Sequence, residues 1–240
     1  MDRLIYLAMA GAKATMQRQD VLANNLANAS TTGFRAELQA FRAVPVRGDG
    51  ASTRVYALES TIGNDTRPGP LQQTGRGLDV AAQGNAWFAV QALDGTEAYT
   101  RNGSFQVDAQ GQLVTGTGLP VLGDGGPITV PTGASVEVAA DGSISATVGN
   151  GRPQQAGRLK LVSPEAPLLR GTDGLFRAAE GDLTADPAAR VQGGALEGSN
   201  VSPVETMVAM ISAARQFEHQ MKMLQGAEQR EQGAAKLLSA

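Results

Sequence analysis

The chain has 240 residues, of which 42% are hydrophobic and only 4% aromatic, which allows a real apolar core and argues against a large aromatic-lined cofactor pocket. A formal net charge of -3 offers no electrostatic reason to expect nucleic acid, and cysteine is absent, which excludes disulfides and thiolate metal sites. His219 is the only histidine; with no nucleophile motif or paired carboxylates beside it, it reads as a polar helix position, and no enzyme activity, metal or cofactor is expected.

The first predicted element is a helix over about residues 2–29. Ile5, Met9, Ala12, Met16, Ala23 and Leu26 repeat at a 4,3 spacing, with Gln19 as the one polar interruption, so one helix face is apolar. The apolar start at residues 4–12 resembles the core of a signal peptide, but only Asp2 and Arg3 precede it. Without a net positive leader, a cleaved signal is not expected. Asn24, Asn25 and Asn28 crowd the helix end, where they favour capping or termination, and Gly33 can take the positive φ that breaks the chain away. In a functional reading, some of these asparagines hydrogen-bond across subunits.

Residues 34–74 are ambiguous, with a possible strand at 53–60 and a turn at Arg67, Pro68, Gly69 and Pro70. From residue 75, short apolar or alternating runs recur about every ten residues with a Gly-containing turn between them. Candidate strands are 77–82, 86–92, 98–107, 112–115, 120–122, 128–130, 135–139, 143–148 and 158–162. Loops such as Asp94-Gly95, Asp108 to Gly111 and Asp141-Gly142 combine Asp and Gly as hairpin turns require, and they lack the ligand alternation of a calcium loop. Trp87 and Phe88 are expected in the β core or at a subunit contact, and Arg101 and Asn102 as turn-stabilising residues.

Ser202 with Glu205 three positions on makes a capping box, and Pro203 occupies the favoured first helical position. The helix that follows should run to about residue 224 or beyond, with Gly226 and Gly233 as weak points. Met207, Met210, Ala214, Phe217, Met221 and Leu224 mark its seam, while Arg215, Glu218, Gln220 and Lys222 fall on more polar faces. No apolar run reaches the roughly 20 residues needed to span a bilayer, so direct membrane insertion is not expected. The predicted fold class is α+β: a discontinuous coiled-coil domain from the two terminal helices (1–36 and 200–240), an extended or β linker (37–74), and a central all-β domain (75–195) inserted between them.

Three stretches carry a family resemblance: ANNLANASTTGFR at 23–35, YTRNGSF at 99–105 with Asp108, Gly111, Leu113 to Thr115, Gly118 and Val121 to Gly123 after it, and LEGSNV at 196–201 leading into the last helix. In this order they resemble the N-terminal, central and C-terminal signatures of the bacterial flagellar rod and hook proteins. The opening Met1 to Tyr6 and Ala8 to Ala12 are most similar to the proximal rod member, with the distal rod member as the alternative. The resemblance implies export through the flagellar type III apparatus without a cleaved signal. It also implies helical assembly with copies of itself and other rod subunits in the periplasmic part of the basal body. There the terminal helices surround the export channel and the shaft transmits torque. Phe34 and Leu38, four apart, fit the export-gate element of some members, or simple local packing.

The apolar stripes would remain wet in a monomer; each large side chain buried against a neighbour contributes roughly 1.5–3 kcal/mol. An intramolecular helical hairpin would satisfy the same heptads. The alternative function is therefore a freestanding periplasmic or secreted β-rich binding module on a helical-hairpin stalk.

Overall fold

A computed structural model describes residues 3–45, 55–149 and 151–238. Two long helices flank a β-rich middle: α1 at Arg3–Ala27 and α2 at Pro203–Leu238. The chain separates into two compact units, one of Met1–Ala29, Glu37–Ile62 and Val201–Ala240, the other of Ser30–Ala36 and Gly63–Asn200. The α+β class with an inserted β region is thus the observed architecture.

In the helical unit α1 and α2 pack against one another, and α1 also meets the strand Glu37–Pro45, which pairs with Val55–Asn64. The start of α2 follows its capping chemistry. Ser202 Oγ accepts the Glu205 N–H at 3.4 Å, and its carbonyl takes the Thr206 N–H at 3.0 Å. The helix does not stop at Gly226 or Gly233. A glycine costs a helix only about 1 kcal/mol, and Ala227, 4% exposed, is held in the buried seam directly after it. A Cβ at Gly226 would meet nothing within 4 Å. Gly226→Ala should therefore stabilise the helical unit by about 0.5–1 kcal/mol, read as a small rise in the thermal midpoint followed by circular dichroism.

The β unit is built around a five-stranded antiparallel sheet in the order Leu161–Val162, Trp87–Gln91, Glu97–Thr100, Phe176–Arg177, Leu169–Arg170. Its second strand, Trp87–Gln91, is buried on both faces, which is why Trp87 to Val90 read as a continuous apolar run. Phe88 and Val90 enter the main core with Val80, Phe105, Leu113 and Ile144. Trp87 and Ala89 face a second cluster with Tyr99, Val162 and Phe176. A three-stranded sheet, Ala134–Val138, Ser143–Val148 and Gln154–Arg158, closes the main core. Asp94, Asp108 and Asp141 each accept the N–H two residues on, at 2.9–3.1 Å, as turn residues do.

Several expected strands differ: 158–162 divides between Gln154–Arg158 and Leu161–Val162, and 120–122 gives isolated bridges ahead of Leu122–Gly123. The run 98–107 breaks into Glu97–Thr100 and Phe105–Val107, because at Gly103 the backbone runs against Val80: the Val80 N–H donates to the Gly103 carbonyl at 2.9 Å. A Cβ at Gly103 would lie 1.7 Å from the Val80 oxygen. Residues 128–130 form no strand and contribute only the single bridge Gln112↔Thr129. The short strands Leu71–Gln73 and Ala195–Glu197, which pair with each other, were not expected. Leu71, Gln72 and Gln73 are all exposed and carry no alternation to betray them.

Candidate functional site

Within the helical unit, small side chains make the seam between α1 and α2. Ala8, Ala12 and Thr15 of α1 are buried, as are Thr206, Ala213 and Ala227 of α2, and Gly11 lies so close to Gln220 that a Cβ there would be 3.0 Å from its amide. The residues of the expected stripes divide accordingly. Ala12 is buried; Ile5, Leu26, Met210, Ala214, Phe217 and Leu224 are half-buried; Met9, Met16, Ala23, Met207 and Met221 are exposed.

Part of the large apolar surface therefore points outward. On α1, Tyr6, Met9 and Met16 are 55–60% exposed. On α2, Val204, Met207, Val208 and Ile211 are 46–67% exposed. Their i, i+3, i+4, i+7 spacing puts them on one helix face, the pattern that normally buries against a partner. His219 is also exposed.

The three asparagines play distinct parts. Asn25 is buried and holds the backbone of Glu37 in its own chain on both sides of that residue: its Nδ2 donates to the Glu37 carbonyl at 3.0 Å, and its Oδ1 accepts the Glu37 N–H at 2.9 Å. Asn28 donates back to the Asn24 carbonyl at 2.9 Å, which closes the last turn. Asn24 is exposed.

In the β unit the three motif segments meet at one buried carboxylate. Arg35 comes from the N-terminal motif, Arg101 from the central one and Glu197 from the C-terminal one, and all three side chains are 1% exposed. Arg35 Nη2 reaches Glu197 Oε1 at 2.6 Å, and Arg101 Nη2 and Nε reach Oε2 at 2.8 and 2.9 Å. The Gly69 N–H also donates to Oε1, at 2.9 Å. Arg101 is thus the core of a charge cluster rather than a turn residue. Burial pulls its guanidinium below the usual arginine value, and Glu197 opposes that shift. Asn102 does hold the turn, accepting the Ser104 N–H at 3.0 Å.

Asn200 ties the same segments together. Its Oδ1 accepts the Ala36 N–H at 2.7 Å, and its Nδ2 donates to the carbonyls of Asp65 and Arg67, both at 3.0 Å. Beside it, hydrogen bonds from Arg67 outweigh desolvation and hold the Asp65 carboxyl below its usual range. Neither Glu197 nor Asn200 is legible as a contact from sequence. The available signal was that a glycine lies within two positions of each charged residue, as in Gly33-Phe34-Arg35, Arg101-Asn102-Gly103 and Glu197-Gly198.

Gly33 shows why that flanking matters. It has φ of 70°, its N–H donates to the Glu197 carbonyl at 2.8 Å, and a Cβ would lie 2.4 Å from the Arg101 carbonyl carbon. Gly33→Ala combines a disfavoured conformation with a backbone clash, and should destabilise the β unit by roughly 2–4 kcal/mol, checked by urea unfolding. Phe34 is 6% exposed with the Arg170 guanidinium 4.5 Å above its ring. Leu38 is 43% exposed and belongs to the helical unit.

Three family models match the chain: the flagella basal body rod protein model at residues 5–35, the flagellar hook protein FlgE/F/G D1 domain at 81–146, and the flagellar basal body rod FlgEFG protein C-terminal model at 192–237. The chain is similar to the flagellar basal-body rod protein FlgF of Salmonella typhimurium, 52% identical over 250 residues covering 100% of this chain and 99% of the relative. It is 51% identical to FlgF of Escherichia coli over 251 residues, with the same coverage. It is also similar to the flagellar basal-body rod protein FlgG of Bacillus subtilis, 32% identical over 93% of this chain and 94% of the relative.

Proposed function

The chain belongs to the flagellar basal-body rod and hook protein family, and from that premise we propose that it is an axial subunit of the proximal rod. It assembles helically with copies of itself and with other rod subunits through its terminal helices, around the export channel, and the assembled shaft transmits torque in the periplasm. The observation that carries this reading is the outward apolar face of each terminal helix: Tyr6, Met9 and Met16 on α1, and Val204, Met207, Val208 and Ile211 on α2. Small residues already satisfy the pairing of α1 with α2, so the larger side chains remain for neighbouring subunits. Nothing in this role requires catalysis, nucleic acid or insertion in a membrane, and among the described residues no helix is long and apolar enough to cross one.

Export through the flagellar type III apparatus without a cleaved signal is part of the same proposal. If Phe34 and Leu38 form a gate-recognition element, Phe34 is read before the β unit folds, because in the folded unit it is buried.

The absence of cysteine makes assembly directly testable. Cysteines are introduced in pairs, one at Met9 or Met16 and one at Met207 or Ile211, in the full chain expressed in a flagellate strain lacking its own proximal rod subunit. The expected result is restored swimming and, on oxidation of isolated basal bodies, adducts that link two or more subunits. Failure of the unsubstituted chain to restore swimming, or absence of adducts from every pair, would overturn the assignment.

A further inference from the structure

We propose that the junction of the three motifs binds a small monovalent anion of the chloride class against Arg35. Two arginines meet one carboxylate there, which leaves one positive charge in excess among side chains that are 1% exposed. The Asp65 carboxyl also feels the Arg35 charge, but it is paired with Arg67 at 2.6 Å, so the two together add no net charge. Both oxygens of Glu197 are occupied by Arg35, Arg101 and the Gly69 N–H.

Each nitrogen of Arg101 has an acceptor, since Nη1 donates to the carbonyl of Ala86 and Nη2 also to that of Gly84. Arg35 differs: among the described residues its buried Nε and Nη1 have no acceptor. The Trp87 ring lies 6.0 Å from the Arg35 guanidinium and 5.7 Å from that of Arg101. Its quadrupole attracts both cations but supplies no acceptor atom.

A water would satisfy an orphaned N–H and leave the excess charge in place; an anion removes both faults, and an uncompensated buried charge is the costlier of the two. Nε and Nη1 lie on different edges of the planar guanidinium, so one ion takes one edge and a buried water can serve the other. The site does not depend on rod assembly, because every group in it belongs to the β unit of a single chain.

The test is thermal unfolding of the full chain at constant ionic strength, with sodium chloride exchanged for sodium methanesulfonate, together with diffraction from crystals soaked in sodium bromide. The expected midpoint is about 3 °C higher in chloride than in methanesulfonate, with the difference abolished in Arg35→Met. An anomalous bromide peak is expected about 3.3 Å from Arg35 Nε or Nη1. Equal midpoints in the two salts, or bromide crystals with water or no density at Arg35, would overturn the proposal. Should Arg35→Met fail to fold, the bromide crystals of the unsubstituted chain decide alone.

Discussion

Glu197→Gln is expected to destabilise the β unit by about 3–5 kcal/mol, the usual cost of removing one partner from a buried ion pair. For a unit of this size that corresponds to a fall in thermal midpoint of roughly 6–20 °C. The reason is electrostatic rather than steric. Gln keeps the shape and can still accept from one arginine and from the Gly69 N–H, but it leaves Arg35 and Arg101 as two like charges at 1% exposure without the carboxylate between them. Arg67→Ala makes the contrast. Its pair with Asp65 has the same 2.6 Å length, but the Arg67 side chain is 84% exposed, so the change should cost no more than about 1 kcal/mol. Replacing all three members together, Arg35→Met, Arg101→Met and Glu197→Leu, should recover most of the loss, since apolar residues of similar volume often serve a core as well as a buried ion network. Urea unfolding of the four proteins checks the set. A loss below about 1 kcal/mol in Glu197→Gln would mean that water reaches the junction and screens it.

The parts of this architecture that were legible in the sequence are those whose signals are local. The Ser202, Pro203 and Glu205 start of α2 lies within four residues, and the Asp-Gly turns within two or three. The apolar run from Trp87 to Val90 announced a buried strand without showing that Phe88 and Trp87 enter different clusters. What could not be read depends on distant partners. Arg35 and Glu197 are 162 positions apart, and nothing local says that a buried Arg has a carboxylate waiting. The strand break at Gly103 requires knowing that Val80 passes beside it.

The helix stripes illustrate a subtler limit. The 4,3 spacing through Met9, Ala12 and Met16 located an apolar helix surface correctly. Beside Met9 and Met16, however, the side chains of α1 that are buried are the small ones at Ala8, Ala12, Ala14 and Thr15, and Gly11 lies against Gln220 of α2, because small side chains let two backbones approach closely. Hydropathy ranks Met above Ala and so favours the outward line. Periodicity marks how much apolar surface a helix carries, while side-chain size decides which part meets the nearer neighbour.

That division separates folding from assembly by single substitutions. Ile211→Asp places a charge at the C-terminal end of the outward stripe of α2, where the side chain is 55% exposed, so monomer stability should change by less than about 0.5 kcal/mol. In the assembled rod the same carboxylate would be buried without a partner, at a cost of several kcal/mol per interface. Because each subunit repeats the contact, swimming should be abolished although the purified protein is folded and its thermal midpoint is unchanged. Met16→Asp on α1, 56% exposed, should behave alike. Ala213→Glu should do the reverse. Ala213 is 1% exposed in the seam between α1 and α2, so a larger charged side chain forces the helices apart, and unfolding of the helical unit appears in the purified monomer as lost ellipticity. Full swimming with both Ile211→Asp and Met16→Asp would place the assembly contacts elsewhere and leave the outward stripes as unexplained solvent-exposed surface. Loss of swimming in both, with monomer stability intact, would tie the function to those side chains, because the fold of the isolated chain makes no use of them.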